Sequence, residues 1–151
     1  MLIAALIFLL VVIVSVATVL LYISGMSSKN NGWVRLAEAY RLEGPFPERK
    51  AGFLTTTLNG YVLQHLMVAG VGERGLGLRP IQLFRAFHPS LLIPWEKIGT
   101  ERREGAFGVI YRLDLGLPGM SIEWNEETHL QVAGLVPAAW PAARAALAAR
   151  P

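Results

Sequence analysis

The chain has 151 residues, with 14 Lys and Arg against 11 Asp and Glu, a net charge of +3 and no cysteine. The missing cysteine excludes disulfides, thiolate zinc sites and a cysteine nucleophile. The charges are mixed in sign, and no basic run carries interleaved aromatics, which speaks against nucleic-acid binding.

Residues 1–23 read as a transmembrane helix. The stretch holds no charged side chain, and about sixteen of its residues are Leu, Ile, Val or Phe. At 1.5 Å per residue it covers roughly 34 Å, enough to cross a hydrocarbon core of about 30 Å with some tilt. A cleaved signal peptide fits less well, because there is no basic start and the apolar run is too long. A soluble core helix fits worst, since a polar face is lacking. Lys29, Arg35 and Arg41 follow the stretch, so the positive-inside rule predicts the N-terminus outside and the remainder in the cytoplasm.

Residues 24–32 (SGMSSKNNG) read as a polar linker reaching about 30 Å at most. Residues 33–44 read as an amphipathic helix, with Trp33, Leu36, Ala37 and Tyr40 on one face, Asn31 as N-cap and Gly44-Pro45 as terminator. The Trp33/Tyr40 stripe is expected to pack on the domain, the membrane interface being the alternative.

Residues 45–151 read as one compact domain. From Ala51 the apolar period becomes 2, and Asn59-Gly60 is a strong hairpin signal. Leu76 and Leu78 predict a short strand that Pro80 places at an edge or a break. Ile81 to Phe87 predicts another strand, and Leu91 to Ile98, apolar on both faces, a central one. Arg102-Arg103-Glu104-Gly105 predicts a hairpin, followed by strands through Phe107–Leu113 and Met120–Trp124. The stretch to Pro137 stays ambiguous, and Ala138 to Arg150 predicts a helix that sets Trp140 and Leu147 into the open end of a barrel. The expected fold is therefore a transmembrane helix plus an α+β domain. That domain is mainly antiparallel: about seven strands in a partly open barrel, capped by a C-terminal helix.

That order, with Gly75-Leu76-Gly77-Leu78 and Ile93-Pro94-Trp95-Glu96-Lys97-Ile98, resembles bacterial pleckstrin-homology-like and GRAM-like domains. The anchor-first layout is similar to small single-pass proteins of Gram-negative bacteria, which implies the inner membrane. The fold hosts many unrelated roles. Phosphoinositide-binding members carry basic residues in the first hairpin loop; here that loop is Asn59-Gly60, so a phosphoinositide partner is not expected. Arg49-Lys50 read as a solvated strand entrance.

No catalytic constellation emerges. His65 reads as a half-buried structural histidine, His88 as a turn residue, and His129 beside Glu126 and Glu127 as too crowded for a metal site. Gly70–Gly77 lacks the Lys-Ser/Thr of a phosphate loop, and Glu96 has no partner for base catalysis. No enzyme activity, cofactor or metal is expected. The expected function is a membrane-anchored interaction module binding a partner protein. Its surface is an edge strand around Leu76–Phe87, with Gln82, Leu83, Phe84, Arg85 and Phe87 as contacts. The alternative is an anionic-lipid module using Arg74, Arg79, Arg85, Arg102 and Arg103, blunted by Glu73, Glu101 and Glu104.

Overall fold

A computed structural model describes residues 2–150, with side chains over 3–22 and 28–150; Met1 and Pro151, the outer limits of the expected anchor and domain, lie outside it. Helix α1 spans Leu2–Asn30. Its segment Ile3–Tyr22 is long and apolar enough to cross a membrane, and every side chain in that segment is exposed. The expected linker at 24–32 is corrected: the helix runs on through it to Asn30. Ser and Asn cost a helix only a few tenths of a kcal/mol each. The long apolar nucleus upstream and tertiary contacts at Ser28 and Asn31 offset that.

Helix α2 (Trp33–Tyr40) follows after one sharp turn, ending four residues short of the expected limit. Gly32 makes that turn at φ +82°, and a Cβ there would sit 2.7 Å from Met120 Cε. Trp33 and Leu36 are buried, so the aromatic stripe packs on the domain.

The seven strands are β1 (Arg49–Leu58), β2 (Tyr61–Val71), β3 (Gly75–Pro80), β4 (Leu91–Pro94), β5 (Gly99–Gly105), β6 (Gly108–Asp114) and β7 (Ser121–Asn125). They form one antiparallel sheet in the order β4-β3-β2-β1-β7-β6-β5, curled into a half-barrel. Asn59 and Gly60 both take positive φ, the requirement of a tight primed hairpin turn. β1 meets β7 through only two residue pairs, Thr57–Glu123 and Leu58–Ile122, so the sheet folds at that seam.

Three strand expectations are corrected. Residues 81–87 form no strand; a 3-10 turn at Gln82–Phe84 carries the chain away from the sheet. The Leu91–Ile98 run is a four-residue strand at the end of the sheet, followed by a 3-10 turn at Trp95–Lys97. α2 packs on the strand and α4 on the turn that follows it, so the run is apolar without strands on both sides. β3 is no edge: β2 and β4 pair with it on either side, and it is almost wholly buried.

Helices α3 (Glu126–Gly134) and α4 (Pro141–Leu147) close the chain, where one helix was expected. Asn125 caps α3 by accepting from Thr128 N at 2.8 Å. α4 lies against β5, where Thr100 Oγ1 donates to Ala146 O at 2.7 Å. Ala143, Ala146 and Leu147 are its buried residues, while Trp140 is only half-buried at its start. Both terminal strands of the sheet are partly covered. Arg41 bridges to Leu91 on β4, and Arg150 bridges to Glu101 on β5.

Candidate functional site at the anchor–domain junction

The end of α1 is built into the domain by polar side chains that are themselves buried. Ser28 Oγ donates to Phe87 O at 2.8 Å. The Asn31 side-chain oxygen accepts from Trp33 N at 3.0 Å, the i+2 bond of a capping side chain, although Gly32 is the residue directly before α2. The Trp33 indole donates to Pro89 O at 3.0 Å, and its ring meets His88 edge-on at 5.4 Å. Asn59, at the hairpin tip, ties three strands of chain together. Its Nδ2 donates to Asn31 O, and its Oδ1 accepts from Ser121 N. Arg35 adds a bond to Pro118 O at 3.2 Å. Losing a partner in the bonds of Ser28, Asn31, Trp33 or Asn59 leaves a buried or part-buried group unsatisfied, so the joint is stiff.

This joint sets segment 81–89 beside the helix. Phe87 and Val34 face Thr18, Leu21 and Tyr22 across a groove. Leu83 and Phe87 are exposed, as are Gln82 and Arg85, whereas Phe84 is half-buried. The five expected contact residues thus share one segment, but in a 3-10 turn and its flanks and not on a strand.

An open strand flank does exist, one strand over. β3 leaves β2 at the pair Met67–Pro80, and only Ile81 N to Leu66 O extends the contact. Among the described residues, Tyr61–Leu63 of β2 have ladder partners on the β1 side alone, and Gln64 and His65 fall within the register shift. Leu58 and Tyr61 close the two-residue hairpin and exchange its hydrogen bonds, so the N–H and C=O of Val62 turn outward. Sequence reasoning missed this flank, because alternation shows which face a strand buries but not how far its neighbour runs.

The ribbon is bulged at the same height. The β1–β2 register shifts between Ala51 and Leu54 and again between Leu54 and Thr56. Phe53 and His65 take φ of 55° and 53°, left-handed values that cost roughly 1 kcal/mol or more for a side chain with a Cβ. His65 Nδ1 lies 3.1 Å from Phe53 O, and its N–H donates to Thr55 Oγ1. The half-buried position expected for His65 is corrected: its ring is exposed, because the bulge turns it out. Phe53 beside it is 72 % exposed.

The arginines do not gather on one face. Arg102 and Arg103 pair with Glu104 and Glu101 at 3.0 and 2.8 Å along exposed β5. Arg74 lies in the turn after Val71, about 33 Å along β2 from the hairpin tip at 3.3 Å per residue. Arg79 stacks on Phe46 at 4.2 Å. Burial first, then the charge of Arg85, pulls its guanidinium below the usual range.

His129 is buried, stacked on Tyr111 at 3.7 Å, and accepts from the Trp124 indole. Among the described residues there is no group of three His, Cys, Asp or Glu placed to hold a metal ion. The fold and junction define an α+β half-barrel fastened to a long apolar helix. Compared with known proteins, the chain matches no family model, no curated protein and no solved structure.

Proposed function

We propose that this protein is a membrane-anchored, non-catalytic interaction module that binds a partner protein at the cytoplasmic face of the membrane. In this reading Ile3–Tyr22 crosses the bilayer, and Lys29, Arg35 and Arg41 keep the domain inside. The strand order, with helices following the last strand, supports a pleckstrin-homology-like domain. Open flanks of this kind accept an added strand, which takes affinity from main-chain bonds and specificity from side-chain pockets. The observation that carries the proposal is the open flank of β2 at Tyr61–Leu63, held beside the anchor by the Asn59–Asn31 bond, with exposed Leu83 in the segment that leaves the sheet at Ile81. An extended juxtamembrane segment of another membrane protein has the right form for it.

The test is a photo-crosslinking residue at Leu83 in the full-length protein, with and without Val62→Pro. Proline removes the one outward donor at position 62, and an open edge tolerates it. The crosslinked partner band should fall about tenfold, as loss of roughly 1.4 kcal/mol of binding gives, while the melting temperature barely moves. An undiminished band in a folded Val62→Pro protein rules out strand addition at β2.

A further inference from the structure

We propose that the groove between α1 and the domain holds one anionic phospholipid of the surrounding bilayer as a structural ligand. The inference rests on the reading that Ile3–Tyr22 crosses the membrane, but not on the partner-protein reading. The groove measures about 460 Å³, within the span of ligand sites. Thr18, Leu21 and Tyr22 form one wall, Val34 and Phe87 the other, and Lys29 stands at the upper end.

Three features select a lipid. The lower wall belongs to the apolar span itself, so the groove opens directly into the acyl region. Of the two hydroxyls on that wall, Thr18's is committed to Val14 O at 2.8 Å, and Tyr22 stands at the end of the apolar span, where its polar tip meets the headgroups. The upper end is cationic. Lys29 lies seven residues beyond Tyr22, about 10 Å along the helix axis, and helical side chains lean toward the N-terminus. Its ammonium therefore reaches back toward the headgroup layer, which is roughly 5–8 Å deep on each side.

Among the described residues Lys29 makes no ion pair; the two ion pairs lie on β5. A zwitterionic headgroup brings its own cation, whereas a phosphatidylglycerol-type headgroup leaves the phosphate charge to Lys29. Ser28, buried against Phe87 O, keeps the two walls together, so the groove is preformed. A preformed site binds without first ordering its walls.

The experiment uses the full chain in bilayers of phosphatidylcholine alone or mixed with phosphatidylglycerol, each doped with a photoactivatable analogue of one of the two lipids. Labelling is mapped by peptide sequencing, and carbonate extraction of each sample reports insertion. The phosphatidylglycerol probe should label Val34, Phe87 or Tyr22 in preference to the phosphatidylcholine probe. Lys29→Gln should reduce that preference about fivefold, the factor one basic residue near an anionic surface is worth. Val34→Trp, which fills the groove, should abolish labelling at these sites, while Val12→Trp on the open helix should not. Equal labelling by both probes, or unchanged labelling in Val34→Trp, in a chain that resists carbonate overturns the lipid site alone. A chain released by carbonate overturns the anchor reading and the lipid site together.

Discussion

His129 shows how much one buried side chain decides. Nδ1 accepts from the Trp124 indole at 3.2 Å, the ring stacks on Tyr111, and the Leu147 backbone favours its charged form, so the imidazole links β6, β7 and α3. Burial pushes its pKa below the ordinary 6.5, outweighing the Leu147 bond and the charge of Glu126. His88 is lowered too, by burial, against its bond to Phe84 O. Both groups bind protons more weakly folded than unfolded. Their contribution to stability is therefore complete above pH about 6.5 and declines as the pH falls from there through the lowered folded values. Thermal melts of the protein should drop as pH is taken from 7.5 toward 5. His129→Leu removes the acceptor for the Trp124 indole and should cost about 1–3 kcal/mol at neutral pH, while making the acid-side drop shallower. An acid-side slope identical to wild type assigns the pH dependence elsewhere.

At the scale of elements, each buried indole has a partner suited to it. Trp33 reaches Pro89 O, Trp95 reaches Gly72 O at 2.9 Å, and Trp124 reaches His129. Trp140, by contrast, is a half-buried lead-in to α4. Trp124→Ala should cost about 3–5 kcal/mol, the range for a fully buried aromatic, and Trp140→Ala clearly less; denaturant melts of both variants decide between them. Equal losses would mean that Trp140 seals the barrel end after all.

The Trp140 expectation came from its spacing to Leu147, and spacing cannot tell a cap residue from a core residue. The hairpin at Asn59-Gly60 was legible because that dipeptide has few other uses. β5 was hidden because Glu101, Arg102, Arg103 and Glu104 are all exposed on a terminal strand, where neither face needs apolar residues. Segment 81–87 misled in the opposite direction. Its Leu and Phe residues read as strand packing, yet Pro80 ends the ladder and the chain turns toward α1. The junction was the least legible part, since its bonds join Ser28, Asn31, Asn59 and Phe87 across up to 59 positions of sequence.

For the whole molecule, the decisive difference is between a linker and a joint. A flexible 24–32 leaves the domain free to sample any orientation over about 30 Å, whereas a helix continuous to Asn30 and bonded into the domain fixes one orientation. Phe87 then lies level with Leu21 and Tyr22, at the rim of the apolar span. Phe107, wholly exposed in the β5–β6 turn, lies at the far end of β6 from Asp114, the end that pairs with Ser121 near Asn59. Six residues of strand put about 20 Å between those ends. The chain has no cysteine, so a single introduced one reports position cleanly. A nitroxide-quenchable probe at Phe87→Cys should be quenched strongly by headgroup-labelled lipid, and one at Phe107→Cys hardly at all. In intact cells Phe107→Cys should also resist a membrane-impermeant maleimide until the cells are opened, as a cytoplasmic domain requires. Equal quenching at the two positions means that the domain tumbles on its tether. The joint would then hold the helix end without setting the face that the domain shows to the membrane, and the flank of β2 would lose its fixed place beside the anchor.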